Sequence, residues 1–85
     1  MNDKRMKCPC CGYYTITEIF DICDVCFWQY DETSHDKPDA VSGANGITLK
    51  AAIKNYKKHN VSDIKFRHKV RLPHDEELPE NNENC

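Results

Sequence analysis

The stretch CPCCGYY, residues 8–14, places three cysteines in four positions, and ICDVCFW, residues 22–28, follows soon after. Cys8 and Cys11 are spaced Cys-x2-Cys, and so are Cys23 and Cys26, with 11 residues between the pairs. In such a turn the backbone folds so that both sulfurs point to a common centre. Two pairs at this separation can present four thiolates to one ion. Gly12, directly after Cys11, permits close approach of backbone N–H groups to sulfur. Cys10 lies between the first two ligands, and its side chain is expected to project away from their centre. It is then left for packing, for tuning the site from outside, or for thiol chemistry.

The metal expected here is one structural Zn2+ held by Cys8, Cys11, Cys23 and Cys26, since zinc accepts four sulfurs at ~2.3 Å in a tetrahedron. Such a site has no open coordination position. It folds the chain and hydrolyses nothing by itself. Iron is the alternative, because sulfur sites take either metal. The Cys-x2-Cys-Gly-Tyr run resembles the first knuckle of rubredoxins. Rubredoxins usually repeat the glycine after the second pair and set the pairs much farther apart, whereas Phe27 follows Cys26. An iron or thiol redox protein is therefore the less favoured reading. His35, His59, His68 and His74 stand at no ligand spacing and read as surface histidines.

Outward from the knuckles, the 85-residue chain is one small domain that needs a staple. Five of its six cysteines fall within the first 26 residues, unlike the spread of a secreted disulfide scaffold. The start, MNDKRMK, is charged and precedes no apolar run, so no signal peptide is expected. No segment approaches a membrane span. A cytoplasmic protein with reduced thiols is expected.

YYTITEIFDI, residues 13–22, is rich in aromatic and β-branched residues. It predicts a short hairpin between the cysteine pairs, turning near Thr17 and Glu18, with Tyr14, Ile16 and Phe20 on one face. Residues 31–47 read as a loop punctuated by Pro38, Gly43 and Gly46. A helix is predicted over 48–59. Thr48 is its N-cap, Leu49, Ala52, Ile53 and Tyr56 form its apolar stripe, and Asn60 ends it. Phe27, Trp28 and Tyr30 are expected to pack for the most part against that stripe. DIKFRHKVRL, residues 63–72, alternates like a strand; a helical turn capped by Ser62 and followed by extended chain competes. Residues 73–85 carry five acids and read as a flexible tail. The fold expected is a small, metal-stabilised α+β domain over 1–72. A zinc-ribbon or rubredoxin-like knuckle hairpin (8–30) packs on one helix, with an extended basic segment and an acidic tail.

These segments resemble the bacterial CPCC family of small cysteine-rich proteins. CPCCGYYT, ICDVCFW with acidic residues after it, and PDAVSGANGITLKAAIKNYKK carry the resemblance, which runs from about Cys8 to Arg71. It implies kinship and a bacterial or phage origin, with no defined biochemical activity. Members typically have proline after the third ligand cysteine, where this chain has Asp24. They typically read Trp-Glu-Asp-Asp where this chain has Trp28, Gln29, Tyr30 and Asp31. The second departure weakens any role for a tight acidic cluster there.

The function expected is a non-enzymatic, zinc-stabilised module that binds a protein partner, with inter-bacterial or phage conflict as one setting. A nucleic-acid-binding zinc ribbon is the alternative. Residues 47–74 hold eight Lys and Arg against Asp63 alone, including Lys50, Lys54, Lys57, Lys65, Arg67, Lys69 and Arg71. Against it stand a net charge of −2 and a pI near 6.0. Gly43, Asn45, Gly46 and Thr48 form a turn before a helix N-terminus, where an anion or partner could sit, although turn plus cap is the simpler reading. For an enzyme the loop offers Asp31, Glu32, His35, Asp36 and Asp39, with Cys10 as nucleophile, and no pairing of nucleophile with base.

Overall fold

The computed structural model describes residues 5–82. Two strands, β1 (Met6–Lys7) and β2 (Tyr14–Ile16), form an antiparallel hairpin. A short helix α1 (Glu32–Asp36) and the main helix α2 (Leu49–His59) follow. The C-terminal part consists of 3-10 turns at Ile64–Phe66, Asp75–Glu77 and Pro79–Asn81. The fold is zinc-ribbon-like. Its core is Cys8, Cys10, Ile16, Cys23, Val25, Cys26, Trp28, Tyr30, Leu49 and Ala52.

The hairpin is not where the residue pattern suggested. It crosses the first cysteine pair: Lys7 faces Tyr14 and Met6 faces Ile16. The chain does turn after Ile16, where the Thr17 N–H and hydroxyl both donate to Asp21, each at 2.9 Å. The returning segment then pairs across the second cysteine pair, with Ile22 opposite Gln29. Phe20 donates its N–H to the Tyr30 carbonyl at 3.0 Å, and Tyr30 donates to Asp21 at 2.9 Å. Each strand therefore closes on its own knuckle, because that loop is shorter and costs less entropy than pairing the two linker segments. Phe20 does not share a face with Tyr14 and Ile16. Its φ is 69° and it is exposed.

The two knuckles are copies of one unit, residues 7–14 and 22–29. Cys8 N–H donates to Tyr13 at 2.8 Å, and Cys23 N–H donates to Trp28 at 2.9 Å. Gly12 N–H donates to Cys8 at 2.9 Å, and Phe27 N–H donates to Cys23 at 2.7 Å. Gly12 has φ 85° and Phe27 has φ 69°, so the same left-handed residue follows each pair. Glycine adopts that conformation freely, whereas phenylalanine pays for it with strain.

Helix α2 follows its pattern. The Thr48 hydroxyl accepts from Ala51 N–H at 3.0 Å, and Asn60, at φ 61°, ψ 31°, ends the helix. Leu49 and Ala52 are buried, and Ile53 and Tyr56 pack on the core. Trp28 is fully buried and Tyr30 nearly so, while Phe27 remains at the surface edge. Val61 and Ser62 are buried behind the helix, and Ser62 N–H donates to the Cys26 carbonyl at 2.8 Å.

The 31–47 segment is more ordered than a loop. The Asp31 carboxylate caps α1 by accepting from Thr33 N–H (3.2 Å) and its hydroxyl (2.8 Å). On its other oxygen it accepts from Ser42 at 2.8 Å. Asn45 donates to Ser42 Oγ at 2.9 Å and reaches across to Gln29. There its side-chain amide accepts from the Gln29 N–H (2.8 Å) and donates to the Gln29 carbonyl (2.9 Å). One side chain thus supplies what a neighbouring strand would have supplied.

Residues 63–72 are not a strand. Asp63, rather than Ser62, caps a 3-10 turn at Ile64–Phe66, and irregular chain follows. The alternation does not make a sheet because, among the described residues, no strand lies beside this segment to complete a ladder. Arg71 is fixed here. Its N–H donates to the Asp24 carbonyl at 3.1 Å, and its guanidinium grips Glu77 with two bonds of 2.9 and 2.8 Å. Glu77 is buried, and its turn packs against β2, so the start of the acidic segment is docked rather than loose. The pair holds the Glu77 carboxyl below its usual range, first through the Arg71 hydrogen bonds.

Asn45→Ala should cost about 2–4 kcal/mol in denaturant unfolding of the metal-loaded protein, because both Gln29 backbone groups lose their partner. Asn45→Asp keeps the acceptor, loses the donor and should fall between the two. Glu77→Gln should cost about 1–3 kcal/mol, less than a fully buried ion pair because Arg71 is one-third exposed. Loss of amide-exchange protection over residues 74–78 would report release of the turn.

Candidate metal centre

The sulfurs of Cys8, Cys11, Cys23 and Cys26 all lie within 4.8 Å of one another. The contacts cross between the knuckles: Cys8 to Cys26 at 3.6 Å and Cys11 to Cys23 at 3.7 Å. These two contacts are equivalent under the knuckle repeat. Sulfurs ~2.3 Å from a central ion at the corners of a regular tetrahedron are ~3.8 Å apart. The cluster has that size, and it is far too open for disulfide bonds, which need ~2.05 Å. All five described cysteines are free thiols. The residues present therefore fit one four-coordinate metal ion.

The knuckle backbone also supplies hydrogen bonds to sulfur. Val25 N–H donates to Cys23 Sγ at 3.4 Å. Thr15 donates its hydroxyl to the same sulfur at 2.9 Å. Thr15 occupies an extra position in β2, between the pairs Lys7–Tyr14 and Met6–Ile16. This bulge turns its side chain toward the cluster. No motif in the sequence marks Thr15 for that role, since only the strand register gives it.

Four thiols so close cannot all ionise without a cation. Contact with Cys23 pushes the Cys11 thiol up. The Cys26 thiol is pushed up first by Cys10, then by its fellow ligands. Cys23 is held well below the usual range, first by hydrogen bonding from Cys11, with Thr15 adding to it. Tyr56 on α2 feels the same cluster: burial, then the charge of Cys11, raises its phenol. A divalent cation resolves the conflict by holding all four as thiolates.

Cys10 does not belong to the cluster. It stands where the second knuckle has Val25, and both are buried, at 6% and 1% exposure. Its position matches a packing position of the second knuckle, and its thiol also bears on Cys26.

The other residues singled out are scattered. Asp31 is buried as a cap, His35 packs edge-on against Tyr30, and Asp39 pairs with Lys50 at 2.9 Å. Glu32 and Asp36 are exposed at the ends of α1. Gly43 and Gly46 bracket the turn that presents Asn45, with Gly46 at φ 77°. At the α2 N-terminus, the N–H groups of Lys50 and Ala51 are taken by the Pro38 carbonyl and the Thr48 hydroxyl. An anion would have to displace them. Lys54, Lys57, Lys65, Arg67 and Lys69 are exposed, whereas Arg71 is committed to Glu77 and Asp24. His59, His68 and His74 are also exposed and lie outside the cluster. Cys85 lies outside the described residues.

Two cysteine knuckles and a helix define a zinc-ribbon-like module whose four clustered thiols are compatible with one metal ion. More particularly, the chain belongs to the cysteine-rich CPCC family, whose model matches residues 6–77. That span includes Glu77 and so reaches into the acidic segment, beyond the Cys8–Arg71 stretch in which the family pattern is plain by eye. No curated protein matches the chain.

Serine at any one of positions 8, 11, 23 and 26 should abolish stoichiometric metal binding, read by elemental analysis and by the thiolate-to-metal charge-transfer bands of the cobalt-substituted protein. Cys10→Val should retain one metal per chain and change stability by less than about 1.5 kcal/mol, because it reproduces the packing of Val25.

Proposed function

We propose that the protein is a zinc-stabilised binding module, without catalytic activity of its own, that recognises a protein partner. The observation that carries this reading is a closed four-thiol centre beneath a surface that leaves Ile22, Ile64 and Phe20 exposed. Four sulfur ligands leave a zinc ion no place for water or substrate. Its binding energy goes into the fold, of order 10 kcal/mol for zinc in small domains, comparable with the whole stability of a domain this size. Apolar side chains left in solvent on a small domain are what partner proteins cover. Zinc is favoured over iron because the second knuckle carries Phe27 where the iron proteins it resembles carry glycine. An immunity or inhibitor role in conflict between bacteria, or between bacteria and phage, is one setting for such a module.

The second reading is nucleic-acid binding, favoured by the exposed Lys54, Lys57, Lys58, Lys65, Arg67 and Lys69. A net charge of −2 opposes it.

Elemental analysis of the purified protein should give one zinc per chain in a colourless solution, and chelation should unfold it cooperatively. Red protein absorbing in the visible would replace zinc by iron. A salt-sensitive shift of an oligonucleotide probe at low micromolar protein would replace the protein partner by nucleic acid. Cross-linking and affinity capture from the native host should return one protein bound in a fixed ratio, and its absence would defeat the partner reading.

A further inference from the structure

The two knuckles differ most where they should be alike. Position 12 needs a left-handed residue and has glycine, while position 27 needs the same and has phenylalanine. The left-handed backbone at Phe27 carries strain, and here the ring has a partner. The Phe27 ring lies 4.5 Å from the ring of Phe66, tilted at 41°, and neither side chain is fully buried. Beside them lies a cleft of about 160 Å³, lined also by Ile22, Gln29, Ala44, Asn45 and Lys65. Ile22 is 41% exposed at this edge, and Ile64, next to Lys65, is 45% exposed.

The charged residue lining the cleft is Lys65. Lys65 Nζ stands 5.2 Å above the Phe66 ring and 4.0 Å from Asp63, whose other oxygen caps the turn. Arg67 and Lys69 follow, both exposed. Asp63 is the acid of residues 61–74, a segment that also contains Lys65, Arg67, Lys69 and Arg71.

We infer that the cleft beside Phe27, Phe66 and Ile22 is the partner-binding site, and that it takes an acidic segment of another protein with one large aliphatic or aromatic side chain seated against the paired rings. The inference rests on the protein-binding reading above. The cleft volume suits a single side chain rather than a folded surface. Phe27, Phe66 and Ile22 give it an apolar side that suits an apolar group, while Gln29 and Asn45 line it with amides already bonded to each other. Lys65, with Arg67 and Lys69 beside it, matches carboxylates flanking that group, and a mismatched positive segment would be repelled. Nucleic acid fits less well. The rings press on each other at an angle rather than offering open parallel faces to bases.

The test uses the full zinc-loaded chain, ¹⁵N-labelled, with four probes. These are a 12-residue peptide with one central leucine among aspartates and glutamates, the same peptide with alanine for leucine, the same with lysines for the acids, and a 12-nucleotide oligo-dT. The leucine peptide should shift the amides of Ile22, Phe27, Ala44 and Phe66, and bind about tenfold or more tighter than the alanine and lysine versions. Phe66→Ala should lose that preference for leucine, and Lys65→Glu should weaken the acidic peptide at least about threefold, each variant keeping the four-thiolate cobalt spectrum that certifies its fold. No shift at about 1 mM peptide, or equal binding of the alanine and lysine versions, overturns the assignment. So does tighter binding of oligo-dT at the cleft, or shifts there that depend on protein concentration alone, which would indicate a second copy. A partner captured from the host and held equally well by Phe66→Ala and Lys65→Glu overturns the cleft while leaving the protein-binding reading standing; if no partner is captured at all, it is that reading which fails.

Discussion

The convergence of four cysteine sulfurs is the constraint on which this structure depends. They stand within 4.8 Å of one another in a small chain whose apolar core is modest. A cation there would let all four ionise and would join the two knuckles. The shortest sulfur contacts already run between knuckles, Cys8 with Cys26 and Cys11 with Cys23. The metal site therefore sets how the two hairpins face each other. Helix α2 then covers the resulting core with Leu49 and Ala52, and with Tyr56 beside the thiols.

The knuckle repeat shows how one local solution is used twice and then adapted. Backbone hydrogen bonds and the left-handed residue after each pair are the same. The side chains that differ have separate consequences. Cys10 and Val25 fill equivalent buried positions, and Cys10 alone adds a thiol that bears on Cys26. Gly12 and Phe27 share a conformation, but only Phe27 brings a ring, and it meets Phe66 from a distant part of the chain.

Two polar clamps join the rest of the chain to this unit. Asp31, Ser42 and Asn45 run from the α1 cap to the edge of the second knuckle, and Asn45 completes the Gln29 backbone in place of a strand. Arg71 ties the C-terminal turn to the knuckle through the Asp24 carbonyl and to Glu77. Both clamps bury carboxylates, and both do so with enough donors to hold them ionised. The helix-preceding turn thus serves structure first, with its N-terminal amides already occupied.

Local chemistry was legible in the residues themselves. Cysteine spacing identifies the four ligands, because chelation needs adjacent sulfurs on one turn. Thr48, Asn60 and the Leu49–Tyr56 stripe identify α2, because capping and a period of 3.6 act over neighbouring residues. Strand partners were not legible, since YYTITEIFDI is equally suited to pair with itself or across a knuckle, and loop closure chose the knuckle. The same limit applies to residues 63–72, where alternation without a neighbouring strand becomes a capped turn. The roles of Thr15, Asn45, Arg71 and Glu77 each depend on a group distant in sequence. The sequence by itself determined a four-thiol centre and one helix. Only the tertiary structure decided which segments pair, which charges are buried, and that Phe27 and Phe66 meet, because those outcomes depend on distances that no local pattern encodes.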